Sequence, residues 1–220
     1  GGVPGRPIGD GPDGHSLWPS FTNVPNEFIE SYFPLRIEQY CTIPDSGGAG
    51  LHRGGNGLSV GYRFLSDGEV AIHDERWLTY PWGVLGGDTG LRSSKLLVRT
   101  DGSKEWLPSK VEGVKVKEGD MLYFNTWGGG GWGDPLERDP ELVLQDVNRR
   151  LVTNEGALRY GVVIGSDGVV NIEKTEQLRG EIRKNRTDLP LFNFGGELED
   201  IRSRCLEETH LPAPVAPTFQ

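Results

Sequence analysis

The sequence predicts an α+β fold that is mainly β, in which an antiparallel sandwich or barrel is followed by C-terminal helices. Between residues 27 and 127, short apolar runs alternate with turn signals, which is typical of antiparallel strands. Glycine supplies 33 of the 220 residues without a collagen-like period, twice the usual share of about 7 %. After residue 135 the apolar residues adopt helical spacing.

Length, charge and cysteine content limit the classes of protein to which the chain can belong. A chain of 220 residues can build one large or two small domains. The net charge of −9 disfavours nucleic acid or an anionic membrane as the main partner. No run approaches the roughly 20 apolar residues that span a bilayer, and no leader opens the chain, so we expect a soluble, cytoplasmic protein. Cys41 and Cys205 lack CxxC partners, which argues against structural zinc.

Residues 1–26 are rich in glycine and proline and have neither helical nor strand periodicity. This composition predicts an extended arm. The arm carries three large apolar side chains, Leu17, Trp18 and Phe21, and leaving them in water would be costly. We therefore expect the arm to be buried against this chain or, in the interpretation that we favour, against a partner.

Residues 27–135 are predicted to form a β domain with glycine-rich loops. Asp67-Gly68 and Asp101-Gly102 mark tight turns, because glycine tolerates positive φ without steric cost. The turn signals separate six runs that we predict as strands, at residues 37–43, 58–65, 69–74, 95–100, 114–116 and 121–127.

Residues 136–190 are predicted as a small helical and hairpin region, and residues 191–220 as a tail. Asp139 and Pro140 predict a helix start, with Asp as the N-cap and Pro at the first helical position. Thr153 is predicted to cap a second short helix. The remaining features are an apolar face at Leu144, Val147 and Leu151, a hairpin of residues 161–164 and 169–172, and a polar helix at 173–188.

The run TWGGGGWGDP, residues 126–135, allows two interpretations. Consecutive backbone N–H groups could hold a phosphate, but the run lacks the Lys-Ser/Thr of a Walker loop and the spacing of GxGxxG. The favoured alternative is a close backbone crossing in which only glycine fits, between Trp127 and Trp132.

A second glycine-dense segment, residues 45–57, precedes a predicted strand. Ser46 could act as a nucleophile, although a lone serine beside glycines is far more often a turn cap. His52, His73 and Asp74 could bind a metal, but neighbouring residues of a strand point to opposite faces. Structural histidines are therefore the favoured interpretation, and nothing in the sequence pairs any two of the carboxylates Glu30, Glu38, Asp45 and Glu75.

Several motifs occur in an order that resembles one protein family. The motifs are Pro34-Leu35-Arg36, DSGGAG (45–50), RGGNG (53–57), WGVLGG (82–87), GGGGWGDP (128–135) and the segment DPELVLQDVNRRLVTNEGALRYGVV (139–163). They resemble the C-terminal part of the hydantoinase B/oxoprolinase family, from about the first residue to Ile164.

The resemblance implies one half of an ATP-dependent machine. In this family an A-type subunit phosphorylates an amide or enolate oxygen, and the B-type subunit completes hydrolysis or carboxylation. Members open hydantoins, oxoproline and lactams, or carboxylate acetone and acetophenone. The metal-binding cluster belongs to the N-terminal part of B-type chains, so the resemblance implies ATP and a divalent metal in the complex, bound by partner subunits, and neither on this chain.

These observations favour a subunit or fragment of an ATP-dependent amidohydrolase that opens a cyclic amide and is inactive alone. An acetone- or acetophenone-type carboxylase subunit and a non-catalytic scaffold are the alternatives. The expected partners are an A-type ATP-handling subunit, a chain resembling the N-terminal part of the B-type subunit, and a small-molecule substrate. The catalytic residues stay unknown, and the candidates for an interface or substrate loop are Asp45, Ser46, Arg53, Gly128, Gly129, Gly130, Gly131, Trp132 and Asp134.

Overall fold

A computed structural model describes residues 1–15, 23–186 and 188–215. The nine strands of this part are β1 (Leu35–Thr42), β2 (Leu58–Phe64), β3 (Gly68–His73), β4 (Gly83–Val84), β5 (Ser94–Val98), β6 (Lys104–Leu107), β7 (Lys110–Val116), β8 (Met121–Asn125) and β9 (Phe192–Asn193). The described α-helices are α1 (Asn26–Tyr32), α2 (Pro140–Asn148), α3 (Asn154–Ala157), α4 (Ile172–Asn185) and α5 (Leu198–Thr209). None of these helices is both long enough and apolar enough to cross a membrane.

The main sheet has the strand order β1-β2-β8-β5-β6, and all its neighbours are antiparallel. Strands β3 and β7 form a separate two-stranded ribbon, and β4 pairs with β9. The predicted α+β class, with antiparallel sheets and C-terminal helices, is confirmed. The sheets are open, since β1 and β6 are the two edges of the main sheet. Each of the six predicted strands overlaps a strand of the structure, whereas β4, β6 and β9 were missed.

The apolar side chains collect in two cores. The first lies between the main sheet and the β3–β7 ribbon, and its buried members are Phe64, Ile72, Leu97, Leu107, Val116 and Leu122. The second lies among the C-terminal helices and the glycine loops, and its buried members are Ala49, Val143, Val152, Ala157, Tyr160 and Val162. Full burial of one such large side chain contributes roughly 1.5–3 kcal/mol, so both cores hold their layers together.

Four glycine-rich segments, residues 1–14, 46–57, 82–91 and 126–133, pack side by side and are here called the glycine bundle. Along a segment, the residues that hydrogen-bond to a neighbouring segment are three positions apart. Gly2 N and Gly5 N donate to Trp127 O and Gly130 O, both at 2.8 Å. Gly11 N and Gly14 N donate to Arg53 O (2.7 Å) and Asn56 O (2.8 Å). Gly128 N and Gly131 N donate to Leu91 O (3.1 Å) and Asp88 O (2.8 Å). A step of three is the repeat of polyproline II, whereas a strand repeats every two residues.

Residues 1–15 of the predicted arm therefore pack on this chain's own loops. Gly2 and Gly11 are buried there. Because the arm bonds at every third residue, its sequence has neither helical nor strand periodicity. Contact of the arm with a partner stays a prediction. Leu17, Trp18 and Phe21, on which that expectation depended, lie outside the described residues.

The C-terminal region agrees with the sequence at its helix starts. The Asp139 side chain accepts from Glu141 N (2.9 Å), and Thr153 Oγ1 accepts from Gly156 N (2.9 Å). Of the predicted apolar face of α2, Val147 packs against the second core, but the buried residues of the helix are Val143 and Asp146. The Asp146 carboxylate pairs there with Arg138 (2.8 Å).

Two further details of the C-terminal region differ from the prediction. The predicted hairpin is reduced to one bridge, Ile164 to Val170, and Ile172 begins α4. Residues 191–220, predicted as a tail, contain β9 and α5. The proposed division of the chain into four segments stays a prediction.

Candidate functional site

The four consecutive glycines lie inside the glycine bundle, where backbones cross at very short range. A Cβ on Gly128, Gly129, Gly130 or Gly131 would lie 1.8, 2.2, 1.5 or 2.0 Å from the backbone oxygens of Ser46, Val3, Trp82 and Ala49. These distances are far below any carbon–oxygen contact that a folded protein tolerates. Only glycine fits the crossing, as the favoured interpretation of the run requires.

Three of the four backbone N–H groups of this run already donate to carbonyl oxygens. Gly128, Gly129 and Gly131 donate to Leu91 O, Gly55 O and Asp88 O at 3.1, 2.8 and 2.8 Å. A phosphate cradle needs several neighbouring N–H groups that point at the ligand, and these point at carbonyl oxygens instead. The geometry therefore does not fit a bound phosphate at the glycine run.

Ser46 and Trp132 belong to the same bundle. The Ser46 hydroxyl donates to Ile43 O (2.6 Å) and accepts from Gly57 N (2.9 Å), so it acts as a turn cap inside the core. Trp132 stacks on His52 with ring centroids 5.6 Å apart, and their backbones bond in both directions. Both side chains thus hold the bundle together.

Asp45 and Asp134 flank two segments of the bundle in the sequence and join the bundle to the helices. The Asp45 carboxylate accepts from Thr153 N (3.0 Å) and Thr153 Oγ1 (2.6 Å). The Asp134 carboxylate accepts from Leu136 N (2.9 Å) and from both terminal nitrogens of Arg186 (2.8 and 2.6 Å). Burial alone would raise the pKa of Asp134, but the bonds from Arg186 and Leu136 outweigh it and lower that pKa.

Arg53 belongs to a buried charge network that the sequence did not reveal. Arg53 pairs with Asp13 (2.8 Å), and Arg138 pairs with Asp10 and Asp146 (2.7 and 2.8 Å). Burial tends to raise the pKa of Asp10, but the Arg138 guanidinium lowers it overall. Burial raises the pKa of Asp146, although the neighbouring Arg138 and Arg53 act to lower it. The network ties residues 1–15 to α2.

The β3–β7 ribbon packs on one face of the main sheet but covers only one end of that face. The uncovered end forms the floor of a cavity of about 840 Å³. Val60 and Tyr62 of β2 and Phe124 of β8 belong to the floor. The walls come from the arm, from α1, and from the loop after β3; among their residues are Gly2, Pro4, Asn26, Ile29, Glu75 and Arg76. The volume falls within the range of small-molecule sites, roughly 300–1,000 Å³.

The lining of this cavity combines aromatic rings with a few polar groups. Tyr40, Tyr62, Phe124 and Trp127 contribute the rings. Burial, reinforced by the neighbouring Tyr40, raises the pKa of Tyr62, so its hydroxyl is neutral at physiological pH. Such a lining is typical of a site for a small ring-bearing molecule.

A buried lysine fixes one wall of the cavity. Lys95 is fully buried on the same sheet face as Phe124, with Nζ 4.7 Å from the centre of that ring. Nζ forms an ion pair with Asp74 and donates to Ser93 Oγ (3.0 Å), and Ser93 Oγ donates to Glu75 O (2.8 Å). Burial lowers the pKa of Lys95 to about 7, while the Asp74 carboxylate acts in the opposite direction.

The described residues contain no cluster that fits a metal ion. Within residues 1–15, 23–186 and 188–215, no group of three or more His, Cys, Asp and Glu side chains could hold a metal ion. His73 and Asp74 point apart, as their places on a strand predict: His73 is exposed and Asp74 is buried.

Comparison with known families identifies the family of this chain. A model of the hydantoinase B/oxoprolinase family matches residues 1–135. The chain belongs to the hydantoinase B/oxoprolinase family. The resemblance that the motifs indicated is therefore confirmed, and the family match covers all four segments of the glycine bundle.

Three family members show how far the similarity reaches. A B-type D-/L-hydantoinase chain from Pseudomonas sp. is 36% identical over 179 residues, 80% of this chain and 30% of that protein. The acetophenone carboxylase delta subunit of Aromatoleum aromaticum is 29% identical over 209 residues, 79% of this chain and 31% of that subunit. The crystal structure of an ATP-dependent caprolactamase from Pseudomonas jessenii has a TM-score of 0.66 and 26% identity, covering 81% of this chain and 32% of that one. The chain thus spans 30–32% of these relatives.

The structure brings several of the predicted loop residues together, whereas the cavity was not predicted from the sequence. Gly128–131, Ser46, Arg53 and Trp132 do come together in the bundle, and Asp45 and Asp134 join it to the helices. Lys95 does carry a local signal, because strand alternation places it on the same face as the buried Leu97. Arg76 and Arg138 lie in segments without periodicity, so no spacing rule could have found them.

Proposed function

We propose that this chain is part of an ATP-dependent, multi-subunit amidohydrolase that opens a cyclic amide through a phosphorylated intermediate. The observation that carries the proposal is the similarity to the ATP-dependent caprolactamase, which extends over 81% of this chain. The hydantoinase-type relative supports the same class of reaction, since hydantoins are also cyclic amides.

ATP and a divalent metal are proposed to be bound by the other subunits. An amide carbonyl carbon is a poor electrophile until its oxygen is phosphorylated, and the phosphorylated species must be kept from water until the hydrolysis step. The partners that would supply phosphorylation and the metal are an A-type subunit and a chain resembling the N-terminal part of the B-type subunit. This chain would then supply the rigid glycine bundle and the cavity walls, and would have no turnover alone.

The predicted glycine-loop residues are proposed to serve the interface or the substrate loop through the backbone. Gly128 to Gly131 and Ser46 have their polar groups turned inward, so their role is to hold the bundle in one shape. Asp45, Arg53 and Asp134 would fix the bundle against residues 1–15 and the helices, and Trp132 would stiffen its edge. A rigid scaffold positions a site more precisely than a mobile loop does.

Carboxylation of a ketone is the second candidate. Its support is the acetophenone carboxylase delta subunit, which aligns with 209 residues at 29% identity. In both reactions ATP would convert an oxygen into a phosphate ester, and the two differ in what attacks next.

The test is to purify the chain together with its A-type and B-type partners. We expect release of ADP that depends on a cyclic amide such as hydantoin, 5-oxoproline or caprolactam, together with the ring-opened product. ADP release that depends on acetone or acetophenone and bicarbonate would favour the carboxylase instead. Full turnover by the partners without this chain would leave only a scaffold role. Turnover by the isolated chain would contradict the partner assignment.

A further inference from the structure

We propose that the outer face of the β4–β9 pair is an interaction surface that binds a chain resembling the N-terminal part of the B-type subunit. The surface consists of six exposed apolar side chains, here called the β4–β9 patch: Trp82, Leu85, Leu189, Leu191, Phe192 and Phe194. This inference rests on the proposed function and adds to it the place at which that partner binds.

The inner face of the β4–β9 pair is fixed to the glycine bundle. Gly83 is buried, and a Cβ at this position would lie 1.9 Å from Gly87 O. Val84 N donates to Gly131 O (3.0 Å), and the Asn193 side chain donates to Gly87 O (3.4 Å). These contacts hold both strands in place, so the outer face has a defined shape before any partner binds.

The outer face carries three aromatic rings that contact one another. The centre of the Trp82 ring lies 5.1 Å from that of Phe194 and 6.4 Å from that of Phe192, both in edge-on geometry. The two phenylalanine rings are stacked, with centres 6.1 Å apart. Each of the three side chains is nevertheless 47–48% exposed. Large rings that are ordered by mutual contact and still face water are typical of a binding surface rather than of a core.

The patch is larger than the apolar surface that a monomer usually exposes. Three half-exposed rings leave about 300 Å² in water, since an aromatic side chain can bury about 150–250 Å². Leu85, Leu189 and Leu191 are 42–58% exposed. They adjoin one another, because Leu85 N donates to Leu191 O (2.8 Å) and a Cβ on Gly86 would lie 2.9 Å from the Leu189 side chain. A contiguous apolar patch of more than a few hundred Å² marks an interaction site.

One cation lies at the rim of the patch. The Arg76 guanidinium lies 5.9 Å from the centre of the Trp82 ring, and no ion pair joins it to a carboxylate in the part of the chain that the structure describes. The neighbouring Glu75 pairs with Lys110 instead (3.1 Å). The Arg76 carbonyl accepts from Ser93 N (2.9 Å), which holds this loop in place. The surface that fits the patch is therefore apolar and carries a carboxylate opposite Arg76.

The occupant that these features favour is further polypeptide of the B type. A second copy of this chain is disfavoured, because each copy carries a net charge of −9 and like charges repel. The same charge disfavours an anionic membrane. The B-type hydantoinase chain and the caprolactamase share this fold over 30% and 32% of their lengths, so about two thirds of each lies beside it. Permanent interfaces are more apolar than transient ones, and a patch with three rings and one cation fits such a permanent neighbour.

The experiment measures assembly without ATP or substrate, which separates docking from catalysis. The chain is mixed with the purified chain that resembles the N-terminal part of the B-type subunit. Hydroxyl-radical labelling of Trp82 is then measured by peptide mass spectrometry. We expect Trp82 to be labelled in the free chain and protected in the complex. A parallel mixture with the A-type subunit alone should leave Trp82 labelled.

Substitutions test how much the patch contributes to affinity, with Kd and the association rate measured by surface plasmon resonance. Trp82→Gln should weaken assembly about tenfold or more, as truncation of a central interface tryptophan does. Arg76→Gln should slow association and reduce its salt dependence. Leu142→Gln, at a side chain of α2 that is 43% exposed, is the matched control and should change neither. All three variants should melt like the natural chain by circular dichroism, because each replaced side chain is exposed.

Three results would overturn the inference: equal labelling of Trp82 in the free chain and the complex, unchanged affinity of Trp82→Gln, or no complex with that partner. Protection of Trp82 by the A-type subunit alone, or by self-association of the chain, would give the patch a different occupant and overturn it as well. Docking through the patch without ATP-dependent ring opening would contradict the proposed function alone. Ring opening by a complex in which Trp82 stays labelled would contradict this inference alone.

Discussion

At the scale of single residues, the glycine run gives the sharpest prediction. Gly130→Val should lower the free energy of unfolding by about 3 kcal/mol or more, the upper end of overpacking costs, because its Cβ would lie 1.5 Å from Trp82 O. Gly180→Ala is the matched control: nothing lies within 4 Å of a Cβ there, and alanine should stabilise α4 by about 0.5–1 kcal/mol. Denaturant unfolding measures both, and equal effects of the two substitutions would refute the close crossing.

Asp10 provides a pH-dependent prediction. Since the folded state lowers its pKa through Arg138, the stabilisation is fully present above the unfolded pKa of about 3.9 and disappears as the pH falls through the lower folded value. Asp10→Asn should therefore melt well below the natural chain near about pH 7, and the gap in Tm should shrink below about pH 4. A gap that stays constant with pH would mean that Asp10 is not ionised in the fold.

At the scale of elements, α2 depends on its cap. The Asp139 carboxylate satisfies Glu141 N (2.9 Å) at a helix end that begins with Pro140. Asp139→Ala should cost about 1 kcal/mol of unfolding free energy, whereas Asp139→Asn should cost much less because its amide oxygen can still accept. Chemical denaturation of the two variants checks this, and an equal loss would show that charge matters rather than the hydrogen bond.

The elements also show what the sequence could and could not predict. Alternation and Asp-Gly turns located six strands because those signals are local. Strands β4 and β9 have two residues each and exist through pairing across about half the chain, as in Val84 with Phe192, which no local pattern contains. Helix α5 could have been found, because Ile201, Cys205 and Thr209 form a buried stripe at a spacing of four. Arg138 is held by tertiary contacts, its ion pairs with Asp10 and Asp146 and its hydrogen bond to Leu51 O, which no local pattern contains.

At the scale of the whole molecule, residues 1–14 are a structural part of the fold. Without them Arg53 and Arg138 would lose Asp13 and Asp10 and would share the single carboxylate of Asp146, and breaking a buried ion pair by removing one partner costs roughly 3–5 kcal/mol. That cost is comparable with the total stability of about 5–15 kcal/mol of a typical protein. A chain lacking residues 1–14 should therefore show no cooperative thermal transition by circular dichroism. Ile8→Ser, at a side chain that is 89% exposed, should melt like the natural chain; cooperative melting of the truncated chain would contradict this assignment.

The glycine bundle also limits how fast the chain can fold. Its hydrogen bonds join residue 2 to residue 127 and residue 14 to residue 56, so long loops must close before the segments gain anything from meeting. Glycine has the most backbone freedom to lose, and a structure dominated by distant contacts folds slowly. The antiparallel pair β5–β6 needs only the loop of residues 99–103, and the longest connection between paired strands of the main sheet, residues 65–120 between β2 and β8, is still much shorter than the span from residue 2 to residue 127. The bundle is therefore expected to close after the main sheet has formed and to set the rate at which the whole chain reaches its native state.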